Sequence, residues 1–175
     1  MGNELHPTSA MAVANWFLEK SWRELHLPPC DQMKLNKLVY YSHGWYLGNY
    51  HTELFAEDIE AWPHGPIVRD LYYEFMSFGR RPIDRLGKRI EMKDGEFTIG
   101  IPKHNGSLND FFESVWAVYG KYTGIQLSNM THQKNEPWTI VAKQYDYDLK
   151  AKPTIPPEII SAVFERKIMR ARQSD

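Results

Sequence analysis

Lys34-Leu35-Asn36-Lys37-Leu38-Val39-Tyr40-Tyr41-Ser42-His43-Gly44-Trp45-Tyr46-Leu47 is the stretch on which the fold turns. Leu35, Leu38, Val39, Ser42, Trp45 and Tyr46 recur every three or four residues, which places them on one face of a helix. Pro28-Pro29 breaks the chain before it, Asp31 can cap its first turn, and Gly48 with Asn49 can close it. A long helix with so wide an apolar face needs other elements to cover it.

Upstream, Pro7-Thr8-Ser9 offers a helix start, and Ala10, Val13, Ala14, Phe17 and Leu18 repeat the same spacing. Downstream, Asp58-Ile59-Glu60-Ala61-Trp62 alternates as a short half-buried strand does. It runs into Pro63-His64-Gly65-Pro66, where Pro66 is expected at the first position of a helix. Val68, Leu71, Tyr72, Phe75 and Phe78 would face that helix inward, and Gly79 would end it.

Arg89 to Lys93 and Glu96 to Ile101 alternate on either side of Asp94-Gly95, a turn pair that tolerates positive φ, so a β-hairpin is expected. Asn105 or Ser107 can cap a helix burying Leu108, Phe111, Phe112, Val115, Trp116 and Tyr119, with its end near Gly120. Thr123–His132 and Pro137–Ala142 read as short helices, the second capped by Asn135. Pro156-Pro157 opens a last helix with Ile159, Ile160, Val163, Phe164 and Ile168 inward. No repeat or long linker interrupts the chain, so residues 1–175 are read as one domain. The expected class is α+β, mainly α: a compact helical domain with a short strand and a β-hairpin.

Composition narrows the function classes. Of the 175 residues, 21 are basic and 22 acidic, a net charge of −1, so global attraction to nucleic acid is not available. The 42% apolar fraction supports one core, and the aromatic share of 14%, including six Trp and ten Tyr, suits both cores and interfaces. Cys30 is the single cysteine, which excludes an internal disulfide. Met1 to His6 has no basic or apolar leader pattern, and no run approaches the ~20 apolar residues of a membrane span. A cytoplasmic protein is expected.

Three stretches carry a family likeness. The first is Lys34 to Leu47. The second is Leu54-Phe55 followed by Asp58-Ile59-Glu60-Ala61-Trp62-Pro63-His64-Gly65-Pro66-Ile67-Val68 and Leu71-Tyr72. The third is Leu127-Ser128-Asn129-Met130-Thr131-His132 followed by Pro137-Trp138. Taken in this order, they resemble the Panacea (SocA-like) antitoxin domains of toxin–antitoxin loci and prophages. The likeness runs from about Ala10 to Trp138. It implies a protein that neutralises a cognate protein toxin by direct contact, in one branch as an adaptor to a protease. It names no cofactor.

Within those stretches Tyr41, Trp45, Trp62, His64, His132 and Trp138 form the candidate partner- or pocket-binding cluster. For Trp62 and the Gly65-Pro66 junction, packing is the simpler reading. His43, His64 and His132 lack the spacing of a zinc site, and no metal is expected. No nucleophile–base pair, carboxylate dyad or phosphate loop is evident, so no catalytic residue is assigned.

Arg80, Arg81, Arg85, Lys88 and Arg89 form a basic run, read first as a solvated loop, then as a patch for an acidic partner, and last as a DNA contact. Arg166, Lys167, Arg170 and Arg172 suit the end of the last helix. The 80–106 hairpin region is a candidate toxin-contacting surface. Two other classes stay open: a small-ligand-binding protein or enzyme with an aromatic and His pocket, and a DNA-binding autoregulator.

Overall fold

The structure, a computed structural model, describes residues 6–174. The leader reading of Met1 to Leu5 therefore lies outside the described residues. The architecture is α+β and mainly α: seven helices and two antiparallel hairpins among the described residues. None of the helices is long and apolar enough to cross a membrane.

The second helix organises the rest. Helix α1 (Ala10–Arg23) starts where Ser9 Oγ accepts from the Ala12 N–H at 3.2 Å. Helix α2 (Gln32–Tyr50) starts where the Asp31 carboxylate accepts from the Lys34 N–H at 2.7 Å. Thirteen of the nineteen α2 residues are buried. A helix wrapped on all sides has no single apolar stripe, and the expected one-face pattern is corrected accordingly. Trp45 and Tyr46 are half-buried, whereas Lys34, Asn36, Lys37 and His43 are buried. The expected closure at Gly48-Asn49 also moves: α2 continues to Tyr50 and ends on His51, which has a φ of 54°.

Strand β1 (Ile59–Trp62) is paired by β2 (Gly65–Val68), with Ala61 opposite Pro66 and Trp62 opposite Gly65. This corrects the reading of Pro66 as a helix start. It lies in a strand, where proline is tolerated because β2 is an edge and the missing N–H leaves no ladder bond unmade. On its other side β1 receives the chain before the last helix, through Ala61 N–H to Pro153 O and Ile155 N–H to Ile59 O, both 2.7 Å. Sandwiched this way, all four residues of β1 are buried instead of alternating.

Helix α3 (Arg69–Phe75) follows, and a 3-10 turn at Met76–Phe78 ends on Gly79. Strands β3 (Arg89–Lys93) and β4 (Glu96–Gly100) form the hairpin expected around Asp94-Gly95, both of which have positive φ. Helix α4 (Asn109–Tyr119) begins after Leu108, not at an Asn105 or Ser107 cap. Helix α5 (Gly124–Thr131) starts with a capping box between Thr123 and Gln126. Helix α6 (Pro137–Gln144) has Glu136 as its N-cap, one residue after the expected Asn135. Helix α7 (Pro157–Gln173) packs along α2, with Phe164 fully buried and Ile159 and Ile168 only half-buried.

Candidate functional site

The first half of α2 carries three buried polar side chains that hold the β1–β2 hairpin and the neighbouring loops. Lys34 donates to Pro28 O and to Gly120 O at 2.6 Å, with its ammonium 5.0 Å from the Trp116 ring centroid. Burial lowers its pKa, but its donors are used. Asn36 Oδ1 accepts from the Val68 N–H at 3.1 Å and its Nδ2 donates to Gln32 O. Lys37 has a single acceptor among the described residues, Pro66 O at 3.1 Å. Burial pushes its ammonium down to about 7.

The hairpin comes this close because residue 65 is glycine. Its φ is +107°, and a Cβ there would stand 2.7 Å from Lys37 Cε and 2.8 Å from Thr131 Oγ1. No other residue meets both constraints without displacing α2 or α5.

Around the turn, three family-like segments meet. Trp138 Nε1 donates to Trp62 O at 2.7 Å, and Ser128 Oγ donates to His64 O at 2.8 Å. The His132 ring lies 3.8 Å from the Trp138 ring, with Nδ1 2.6 Å from Ser128 O and Nε2 3.3 Å from Pro63 O. The Nδ1–H tautomer makes the shorter bond. In that tautomer the ring is tied within α5 and Nε2 only faces the turn, so the bonds that brace α5 and α6 against the turn are those of Ser128 and Trp138, with His132 packed on the Trp138 ring. Trp138→Phe should leave Trp62 O without its donor and cost about 1–2 kcal/mol, read as a lower urea midpoint with the slope unchanged.

Beside this brace opens a cavity of about 570 Å³. Trp62, Ile67 and Tyr72 form its apolar wall, and Lys37, Arg80 and Lys152 are its cations, with His64 and Asp31 also lining it. Trp62 is held from behind: its Nε1 donates to Glu60 Oε2 at 2.7 Å, and Arg69 donates to Glu60 Oε1 at 2.9 Å. The Glu60 carboxylate is thus consumed in positioning the indole. Lys152 sits 3.8 Å over the Trp62 ring, a close cation–π contact.

The candidate residues therefore divide. Trp62, His64, His132 and Trp138 come together at the turn. Tyr41 and Trp45 do not: Tyr41 stacks on Tyr119 at 4.1 Å, and Trp45 Nε1 donates to the Tyr119 hydroxyl at 2.8 Å. Those two belong to an aromatic layer between α2, α4 and α7.

The basic run is not one free patch either. Arg85 pairs with Glu74 and lies 5.5 Å over both Phe75 and Phe78, while Arg81 donates to Ser77 O. Arg89 stands 3.9 Å from Glu57, Lys88 is exposed, and Arg80 lines the cavity. On the last helix Lys167 reaches the Glu136 carboxylate at 2.7 Å, so it ties α7 to α6 rather than serving only the helix end.

Residues the sequence reading passed over are Lys37, Asn36, Tyr72 and Lys152. A lysine pair three apart inside an otherwise apolar helix was the available signal for the first. His43 faces Phe55 at 4.3 Å with Nδ1 unpartnered, and burial pushes it down to about 4. Burial pushes the Cys30 thiol up to about 11, which disfavours the thiolate a nucleophile needs. Among the described residues no three His, Cys, Asp or Glu side chains group as metal ligands.

Comparison with known proteins places this geometry. The sequence model described as antitoxin SocA-like, Panacea domain, matches residues 35–139, which run from α2 into α6. The chain is 29% identical over 133 residues to Antitoxin SocA of Caulobacter vibrioides (strain NA1000 / CB15N), covering 76% of this chain and 70% of that one. No solved structure matches. The matched span holds α2 from Leu35 onward with its buried Lys37, the Gly65 turn and the His132–Trp138 contact, and the chain belongs to the SocA-like antitoxin, Panacea-domain family.

Proposed function

We propose that this protein is an antitoxin that holds a cognate protein toxin inactive by direct contact, centred on the outer face of the β3–β4 hairpin. Family membership and the likeness to an antitoxin support the role. One structural observation supports the surface. Ile90 and Met92 pair across the hairpin with Ile99 and Phe97, and the four side chains share one face. They are 69%, 69%, 74% and 78% exposed. Apolar side chains gathered on one exposed sheet face mark a contact site more often than singly scattered ones do.

Such an interface would bury roughly 1,200–2,000 Å² and depend on a few large anchors. On this reading residues 1–175 act as one cytoplasmic domain, and the work is done by binding rather than by catalysis.

Co-expression with the product of the adjacent gene tests the reading. The intact protein should rescue growth and co-purify with that product. The double variant Met92→Lys, Phe97→Ser should lose both, with affinity falling roughly a hundredfold and thermal stability unchanged because neither side chain is packed. A neighbour that is harmless alone would sink the role, and undiminished binding by the double variant would sink the surface. Following toxin level after synthesis is stopped separates simple holding from delivery to a protease.

A further inference from the structure

The cavity beside the Gly65 turn is independent of the hairpin face, and its chemistry is selective. We infer that it binds a carboxylate carried on an aromatic or branched apolar body, with Arg80 and Lys152 contacting the anion and Lys37 supplying positive charge from the wall behind. The apolar body would lie against Trp62, Ile67 and Tyr72.

Four observations support this. The volume, about 570 Å³, lies within the usual range for a small-molecule or side-chain pocket. Its apolar surface is aromatic and aliphatic, and Trp62 is fixed in place by the Glu60 and Arg69 contacts and by the Tyr72 ring at 4.6 Å. Preorganised aromatic walls lose little entropy when a ligand arrives.

The charges form the third observation. Lys34 and Lys37 lie one helical turn apart, and both are buried without exposed surface. Lys34 spends its ammonium on two carbonyls and an indole. Lys37 has one carbonyl, so two of its three N–H groups have no acceptor among the described residues. A buried ammonium so lightly satisfied costs stability unless something compensates it. Its field acts through protein rather than water and therefore reaches into the cavity weakly screened.

The fourth is the acid in the same wall. Asp31 lines the cavity while capping α2. Its charge opposes a phosphate dianion more than a single carboxylate. A carboxylate of this description has two sources, the C-terminus of a partner chain or a free aromatic acid.

Binding has a proton signature. Lys37, held near 7 by burial, is partly deprotonated in the empty cavity. The titratable and charged groups lining the cavity around it are Asp31 at the cap of α2, His64 on the β1–β2 turn, Tyr72 on α3, and Arg80 and Lys152 at the opening. An arriving anion favours the charged lysine, so complex formation near pH 7.5 takes up protons from the buffer.

The full-length protein is titrated calorimetrically, in buffers of different ionisation enthalpy, with 3-phenylpropionate and with a short peptide ending in phenylalanine, each as acid and as amide. The acid should bind at least roughly tenfold more tightly than its amide, with net proton uptake. Arg80→Ala and Lys152→Ala should each weaken the acid severalfold; Arg80 is exposed, so its variant should keep its thermal stability, whereas Lys152→Ala also gives up the contact with the Trp62 ring. Lys37→Met should abolish the proton uptake. Binding of the peptide but not the small acid identifies a chain terminus as the occupant, and the converse identifies a free acid. The inference is overturned if neither binds at millimolar concentration, if amide and acid bind alike, or if Lys37→Met leaves the proton uptake intact. Because no toxin is present, these outcomes are separate from those of the co-expression test.

Discussion

Gly44→Ala is expected to destabilise the protein by about 2–3 kcal/mol, although alanine is the better helix former. The ordinary result of Gly→Ala inside a helix is a gain of about 1 kcal/mol from reduced backbone freedom. Here a Cβ would stand 2.4 Å from Cε2 and Cζ of Phe164. That ring has little room to yield: the rings of Trp45 and Tyr40 stand 5.1 and 6.0 Å away, with the Lys167 ammonium 4.8 Å off its face. One turn on, a Cβ at Gly48 would meet Phe164 Cβ at 2.7 Å and its backbone carbon at 3.1 Å.

At position 44 an aromatic ring must move, whereas at position 48 the main chain of α7 must move. Gly48→Ala should therefore cost at least as much. For a chain of this length the loss corresponds to a melting temperature lower by about 5–10 °C. Phe164→Ala should cost about 3–5 kcal/mol through the cavity it leaves. The decisive measurement is a double-mutant cycle. If close approach is the cause, Gly44→Ala combined with Phe164→Leu will cost clearly less than the two singles summed. Strict additivity would remove the explanation.

The second large effect is on the pH dependence of stability. His43 is buried and neutral, its imidazole pushed down to about 4 by burial first and the nearby His6 second. Between pH 6.5 and 4 the unfolded chain binds a proton that the folded chain refuses. Stability is therefore lost as pH falls through that window, by about 3 kcal/mol from this group alone.

Lys37 acts at the other end. Its folded-state value near 7 lies below the ordinary 10.5, so the unfolded chain again holds the extra proton, and stability rises as pH climbs from 7. Above pH 10 the sign reverses. Burial holds the Tyr41 hydroxyl far up and that of Tyr119 up at about 12, so the unfolded chain ionises its tyrosines first. Urea midpoints should consequently peak between about pH 9 and 10, higher than for most proteins. His43→Met should flatten the acid limb, and Lys37→Met should raise stability at pH 6 and flatten the rise above 7. An acid limb unchanged in His43→Met would show that other groups control it.

Much of the local structure was legible in the sequence. The Ser9 and Asp31 caps, the Asp94-Gly95 turn and the order of helices all rest on interactions within a few residues of chain, and those energies are written locally. The errors share a different origin. Pro66 carries a strong helix-start signal, yet pairing with β1 and the Lys37 contact to its carbonyl place it in a strand. Gly48-Asn49 carries a helix-end signal, yet contact with α7 keeps α2 going for another residue and turns Gly48 into a packing position.

The candidate site shows the same division. Trp62, His64, His132 and Trp138 could be singled out as residues but not as neighbours, because the bonds that join them cross as many as 76 positions of chain. Hydrophobic periodicity passes over Lys37, since it describes the one face of a helix that is already apolar; only the lysine pair three apart hints at it. By itself, then, the sequence determined the helices, strand β1, the β3–β4 hairpin and the family, but not strand β2. The tertiary structure alone decided that α5, β2 and α4 cover the remaining faces of α2. Burial by those distant segments removes water from Lys37, shapes the cavity at Trp62, and leaves the apolar face of the β3–β4 hairpin exposed.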